Sequence, residues 1–346
     1  MIFIDNEGIT DPSINLALEE YALRNFKHNQ DYLLFYINEP SIIIGRYQNT
    51  LEEINLKYTE EKGIHVVRRI SGGGAVYHDF GNLNFSFMTD YEVKNLNNFR
   101  KFAEPVIRIL NKMGVPAEMK GRNDVVANDK KISGNAQFST GRRMFSHGTL
   151  LFDTALGEVA NALNVKMNKI ESKGHKSVRS RVANISEFLP EKMTIEQFRE
   201  AILKGLYDEK PNFETYRLTK EEWDAVYALR KEKYNTWEWN FGRSPDFNIH
   251  RTKRFPIGEI DIRLMVKKGL IVDMKIYGDF FGREPVENIE QALLGKKYDF
   301  QIVEDALKDL DMKLYFGDIP ASEVINLIYG EDEEIGEDEV VAPSLT

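Results

Sequence analysis

Between Arg68 and Asp79 the chain reads Arg68-Arg69-Ile70-Ser71-Gly72-Gly73-Gly74-Ala75-Val76-Tyr77-His78-Asp79, followed by Gly81-Asn82-Leu83-Asn84. Two guanidinium groups, a hydroxyl, three consecutive glycines, an imidazole and a carboxylate are brought close together. The glycines permit positive φ and leave backbone N–H groups bare for a ligand to approach. Arg69 and Ser71 flank that nest, as groups that hold a phosphate or a carboxylate would. A Walker loop is excluded because Ala75, not Lys, follows the last glycine. A dinucleotide fingerprint is excluded as well, since these glycines are consecutive and lead into a strand-like run rather than a helix.

Three further stretches carry chemistry. Gly121-Arg122-Asn123-Asp124 precedes Lys131-Ile132-Ser133-Gly134, His147-Gly148-Thr149-Leu150 lies in an apolar run, and Lys166, Lys169, Lys173, His175, Lys176, Arg179 and Arg181 crowd between Asn164 and Asn184. Each has an ordinary reading: Lys131 as a solvated charge beside a turn, Asp124 as a turn residue, His147 as a structural histidine. The basic segment reads either as a solvated loop or as a flap that closes on a polyanionic substrate.

The elements that hold these residues follow from periodicity. Asp11 is an N-cap with Pro12 at the first helical position, and an apolar face from Ile14 to Leu23 carries a helix to Asn25, with Glu19 and Glu20 read as a solvated face. Tyr32–Ile37 and Ser41–Gly45 read as strands, as do Gly63–Val67 and Ala75–His78 on either side of the glycines. Leu83–Met88 alternates as a half-buried strand, and Phe99–Met113 is a helix closed by Gly114. Asn128-Asp129 is the turn of a hairpin whose return strand begins at Lys131, and Phe145–Asp153 is a strand with His147 near its start. Helices follow over Thr194–Tyr207 and Thr219–Tyr234. The run Thr236–Pro245, rich in Trp, Gly, Ser and Pro, marks a junction or a local aromatic anchor. Beyond it, Gly258–Val266 and Leu270–Tyr277 form a hairpin, with short helices at Asn288–Leu294, Val303–Leu310 and Ala321–Tyr329.

A chain of 346 residues with this pattern predicts two domains, 1–245 and 246–330, and a tail over 331–346. The net charge of −9 owes much to that tail, where Glu331, Asp332, Glu333, Glu334, Glu337, Asp338 and Glu339 stand without bases and predict disorder. The rest is close to neutral and lacks a basic motif with stacking aromatics, which argues against nucleic acid. The sequence contains no cysteine, so disulfides, thiolate metal sites and cysteine nucleophiles are excluded. Neither a signal peptide nor a membrane-length apolar run is evident, and the expected address is cytoplasmic.

Taken together and in this order, the glycine run, Gly121-Arg122-Asn123-Asp124, Lys131-Ile132-Ser133-Gly134, His147-Gly148-Thr149-Leu150 and Lys176-Ser177-Val178-Arg179-Ser180-Arg181 resemble the lipoate–protein ligase family. The resemblance spans roughly residues 1–245 and extends more weakly through the remainder. It implies an α+β fold: a catalytic domain of mixed, largely antiparallel sheets with flanking helices, as in biotin and lipoate ligases, plus a small α+β C-terminal accessory domain. It also implies a two-step reaction, in which ATP and lipoate give lipoyl-AMP and pyrophosphate. A lysine of a lipoyl carrier domain, from a dehydrogenase E2 subunit or the glycine-cleavage H protein, then takes the acyl group.

By motif, Lys131 corresponds to the family's essential lysine. Arg69, Gly74, Ala75, Val76 and Tyr77 correspond to nucleotide-binding positions, together with Asn123, Asp124 and Lys131. Ser71, Gly73, His78, His147 and Lys131 are the expected lipoate contacts, and Asp124 the expected Mg²⁺ contact. Lys173, Lys176, Ser177, Arg179 and Arg181 belong to the loop expected to close over the adenylate. An octanoyltransferase of the same superfamily would need the cysteine this chain lacks. A lipoyl amidotransferase working without ATP, a biotin ligase, and a non-catalytic binder of lipoate or lipoyl-AMP are the other readings. Retention of Lys131 disfavours the binder, since binding alone needs no group aimed at a reacting centre.

Overall fold

The structure, a computed structural model, describes residues 1–163, 181–208, 213–242, 249–267 and 269–329. The chain forms two compact units, Met1–Pro245 with Tyr277–Arg283, and Asp246–Ile276 with Glu284–Thr346.

The strands of the first unit are β1 (Ile2–Asp5), β2 (Tyr32–Ile37), β3 (Ser41–Ile44), β4 (His65–Arg68), β5 (Val76–His78), β6 (Asn82–Asp90), β7 (Ala117–Lys120), β8 (Asp124–Ala127), β9 (Lys130–Ser139), β10 (Arg143–Leu151) and β11 (Thr215–Arg217). Eight of them make one sheet in the order β11-β1-β2-β6-β10-β9-β8-β7. β1 runs parallel to β2 and β11, and every other pairing is antiparallel, so the sheet is mixed and largely antiparallel as expected.

Its apolar strands are covered on both faces, which explains why β2 reads as an unbroken apolar run. Phe3, Leu33, Phe35, Leu83 and Phe85 share one core with Ala103, Val106 and Leu110 of helix α2 (Phe99–Lys112) and Phe198 and Ile202 of α3 (Ile195–Leu206). Ile4, Leu34, Tyr36, Met88 and Phe145 share the other with Leu18 and Ala22 of α1 (Pro12–Asn25) and Val226 in the helix Lys220–Leu229. Each fully buried side chain of this size contributes about 1.5–3 kcal/mol. Asp11 caps α1 by accepting from the N–H groups of Ser13 and Ile14, at 2.8 and 3.3 Å.

A smaller sheet, β4-β3-β5, carries the glycines. The strands on either side of the glycine run are not paired with each other, because β3 lies between them, parallel to β4 and antiparallel to β5. Residues 69–75 therefore cross the end of β3. Arg69 donates its N–H to Ile44 O and Arg46 donates to Ser71 O, both at 2.9 Å.

The 128–129 turn has φ of +47° at Asn128 and +65° at Asp129, the double-positive geometry that suits a two-residue hairpin. The return strand begins one residue earlier than expected, at Lys130, and Lys131 pairs with Val126 beside a bulge. His147 sits in the middle of β10, not near its start, because the strand extends back through Arg143. The helix expected over 219–234 runs as an α-helix over Lys220–Leu229 and then widens over Arg230–Tyr234.

In the second unit, β12 (Ile249–Phe255), β13 (Gly258–Lys267) and β14 (Leu270–Gly278) form a three-stranded sheet. Helices at Glu287–Leu293, Phe300–Leu307, Met312–Phe316 and Ala321–Tyr329 follow. Among the described residues, no helix is long and apolar enough to cross a membrane. The expected acidic tail, 331–346, lies outside the described residues.

Candidate active site

Alternation along β4 and β5 sorts the signature residues. Val76 and His78 line a cavity, while the Tyr77 side chain turns to the opposite face and packs with Ile42, Ile44, Ile54 and Ile64. Tyr77, expected among the nucleotide contacts, therefore does not line the cavity. Arg69 lines the same cavity but spends most of its donors on the loop. Nε donates to Ser71 Oγ at 3.0 Å, Nη1 to Ile43 O at 3.0 Å, and Nη2 to Gly72 O and Gly74 O at 2.7 and 2.9 Å. Its role in the fold is therefore to staple the glycine loop while delivering positive charge. Burial pulls its guanidinium down to about 10, opposed by Tyr36 and Glu19.

The loop tolerates little side-chain bulk. Gly73 has φ +92°, and a methyl group on Gly45 would overlap the Gly73 carbonyl. On Gly72 it would overlap the carbonyl of Phe280. The segment Tyr277–Arg283 thus lies against the loop: Phe280 stacks on Tyr47 at 4.8 Å, and Phe281 packs with Phe99 and Ala136 beneath Arg122 at 4.6 Å. Nothing in its sequence signals this return to the first unit.

Lys131 enters the cavity from β9. Its ammonium pairs with Asp124 Oδ1 at 2.8 Å and stands over Gly134, where a Cβ would lie 3.0 Å from Nζ. The backbone is pinned as well, since Ala183 N–H donates to Lys131 O at 3.0 Å and Val182 forms a parallel bridge with Lys131. Asn123 lines the cavity and is clamped to Asn135, its Nδ2 donating to Asn135 O at 2.6 Å and its carbonyl accepting from Asn135 Nδ2 at 3.1 Å.

His147 is held at both nitrogens. Nδ1 meets the Glu19 carboxylate at 3.0 and 3.1 Å, and Nε2 meets Ser71 Oγ at 2.9 Å. Glu19, expected on a solvated face, is 1% exposed. The signal that could have found it is its spacing: three residues after Leu16 and four before Leu23, it stands inside the apolar stripe.

Of the residues singled out by sequence, Arg69, Gly73, Gly74, Ala75, Val76, His78, Asn123, Lys131 and His147 converge on one cavity. Ser71 and Asp124 do not line it but are bonded to His147 and Lys131, which do. Lys173, Lys176, Ser177 and Arg179 lie outside the described residues, and Arg181 does not line the cavity. Among the described residues, no group of three or more His, Asp or Glu side chains could hold a metal ion.

The lipoyl protein ligase A/B catalytic domain family matches residues 11–207, and the bacterial lipoate protein ligase C-terminus family matches residues 244–328. Lipoate-protein ligase LplJ of Bacillus subtilis (strain 168) is 56% identical over 331 residues, covering 95% of this chain and 100% of that protein. Among solved structures, P. falciparum LipL1 in complex with lipoate has a TM-score of 0.75 at 25% identity, covering 95% of this chain and 98% of that one. A lipoate-protein ligase A bound with ATP has a TM-score of 0.58 at 31% identity, covering 67% and 94%. Shared motifs, matching length and shared fold place this chain in the lipoate–protein ligase family.

Proposed function

We propose that the chain joins lipoate to a lysine of a carrier protein in two steps through lipoyl-AMP, consuming ATP. The observation that carries this reading is the Lys131 ammonium, which enters the same cavity as the glycine loop and is set over Gly134. In the first step a lipoate carboxylate oxygen attacks the α-phosphorus and pyrophosphate departs. Lys131 holds the two anions together and neutralises the charge that develops between them. The bare N–H groups of Gly73 and Gly74 and the charge of Arg69 receive phosphate oxygens. In the second step the carrier amine attacks the acyl carbon and AMP leaves.

Asp124 fits a Mg²⁺ that arrives with ATP, because magnesium commonly takes one or two carboxylates and completes its shell with phosphate oxygens and water. Mg²⁺ would supply charge neutralisation at the departing pyrophosphate. Ser71, held by Arg69 and His147, and His147 itself serve the lipoate end of the cavity, with Val76 and Leu16 giving apolar wall. The acceptors in this reading are lipoyl carrier domains of the E2 or H-protein kind, and a cytoplasmic address accompanies them. We assign 1–245 to catalysis and 246–330 to an accessory role, with the basic segment through Arg181 covering the adenylate.

Pyrophosphate release and carrier mass, measured with lipoate, an apo lipoyl domain, and ATP present or withheld, test the reading. ATP-dependent pyrophosphate release with the mass gain of one lipoyl group is expected. Modification only from a lipoylated donor without ATP would replace the ligase by an amidotransferase. A second outcome follows from Gly134. A valine there suits a strand but pushes the Lys131 ammonium aside, so Gly134→Val should fold and form adenylate about 10²-fold more slowly.

A further inference from the structure

Among the described residues, the buried Nε2 of His78 has no hydrogen-bond partner. The residue is 3% exposed and lines the cavity. Its other nitrogen is engaged by a chain of buried amides whose orientation is fixed from one end. Asn15 Nδ2 donates to the backbone carbonyl of Ile9 at 2.9 Å, which can only accept. Asn6 Nδ2 donates to the same carbonyl and to Asn15 Oδ1, at 3.0 and 3.1 Å. Asn15 Nδ2 also donates to Asn38 Oδ1 at 2.9 Å, so Asn38 turns its Nδ2 toward His78 Nδ1 at 3.0 Å. Nδ1 is therefore the acceptor, and the ring proton sits on Nε2. Burial, with Arg69 and His147 nearby, pushes the imidazole down to about 3, so it stays neutral at physiological pH.

A neutral N–H donor in a cavity that already holds cations exerts no strong pull on a bound anion. It is suited to an oxygen whose charge appears only in the transition state. A neutral imidazole can polarise a carbonyl in this way. Lipoate itself offers only its carboxyl oxygens as strong acceptors, since the remainder is hydrocarbon and disulfide.

Resting on the ligase reading, we propose that His78 Nε2–H donates to the acyl carbonyl oxygen of the adenylate during transfer, and that Asn38, Asn15 and Asn6 are positioning residues that fix its tautomer. The carrier amine forms a bond to the acyl carbon and the carbonyl electron pair moves onto oxygen, where Nε2–H receives it. As the pair returns, the bond to the phosphate oxygen breaks and AMP departs. The amine proton leaves to the AMP phosphate or to solvent, and His78 keeps its own throughout.

The test uses the full chain, preformed lipoyl-AMP and an apo lipoyl domain. His78→Phe should slow single-turnover transfer by ~10²-fold while lipoyl-AMP Kd moves by less than about threefold, and His78→Gln, which restores an N–H donor, should recover at least tenfold of the loss. Nitrogen-15 NMR of labelled histidine should show the Nε2–H form for His78, shifting to a Nδ1-protonated ring in Asn38→Asp. Transfer by His78→Phe at the wild-type rate overturns the proposal. So does equal loss of adenylate binding and transfer without rescue by Gln, or a Nδ1–H tautomer in the wild type. If the wild type fails to transfer from lipoyl-AMP, the ligase reading itself falls.

Discussion

Lys131→Met folds like the wild type and releases pyrophosphate from ATP and lipoate at least ~10³-fold more slowly. Stability should hardly change, because the partners of the Lys131 ion pair are 36% and 33% exposed, and such pairs contribute ~0–1 kcal/mol. The strand does not depend on the side chain either, since the backbone is held by β8 and by Ala183. In the proposed reading, what is lost is the cation that brings carboxylate and phosphate together, and among the described residues no other cation stands over Gly134. Lys131→Arg should remain impaired, because a planar guanidinium cannot take the place of a compact ammonium against that glycine. A coupled pyrophosphate assay with thermal unfolding as the control reads both. Full adenylation by folded Lys131→Met would remove this lysine from the chemistry.

Arg68→Met, one residue away from Arg69, should cost stability first, by about 1–3 kcal/mol for a buried acceptor left unpaired. Arg68 is 1% exposed. Its Nη1 donates to Gly45 O, Arg46 O and Gln48 O at 2.9, 3.0 and 2.7 Å, Nη2 to Thr50 Oγ1 at 2.6 Å, and Nε to Trp239 O at 2.9 Å. The side chain thus ties the 45–50 loop to the Trp237–Asn240 turn, and the 45–50 loop abuts the glycines through Gly45. Methionine fills much of the volume but leaves buried carbonyls without donors. Urea unfolding of the variant should show the loss. A midpoint equal to the wild type's would mean that water replaces the guanidinium.

Much of the frame was legible before any coordinates. Asp11-Pro12 announced α1, Asn128-Asp129 announced the hairpin that presents Lys131, and the glycine run announced a tight loop, two of whose glycines line the cavity. These signals are local, set by backbone preference and spacing. The misses share a different cause. Glu19, Glu20 and Asn38 are buried polar residues, 1%, 3% and 0% exposed, and a buried polar residue looks like a surface one until its partner is known. Those partners lie far along the chain: His147 for Glu19, Tyr234 for Glu20, His78 for Asn38. Arg68 and Arg69 read alike as a basic pair, yet one ties loops together and the other faces the cavity. β12, with its run His250-Arg251-Thr252-Lys253-Arg254, was not anticipated because its side chains are mostly polar and none of them is buried.

The return of Tyr277–Arg283 to the first unit means that the chain passes between its units after Pro245, after Ile276 and after Arg283. No single cut separates the two. A fragment ending at Pro245 would carry the whole signature and the lysine but would lack Phe280 and Phe281, leaving Tyr47, Phe99 and the glycine loop uncovered. Residues Tyr277–Arg283 therefore belong with the catalytic portion although they lie beyond Pro245 in sequence, and activity lost on truncation at Pro245 should return when residues 246–346 are supplied as a separate chain.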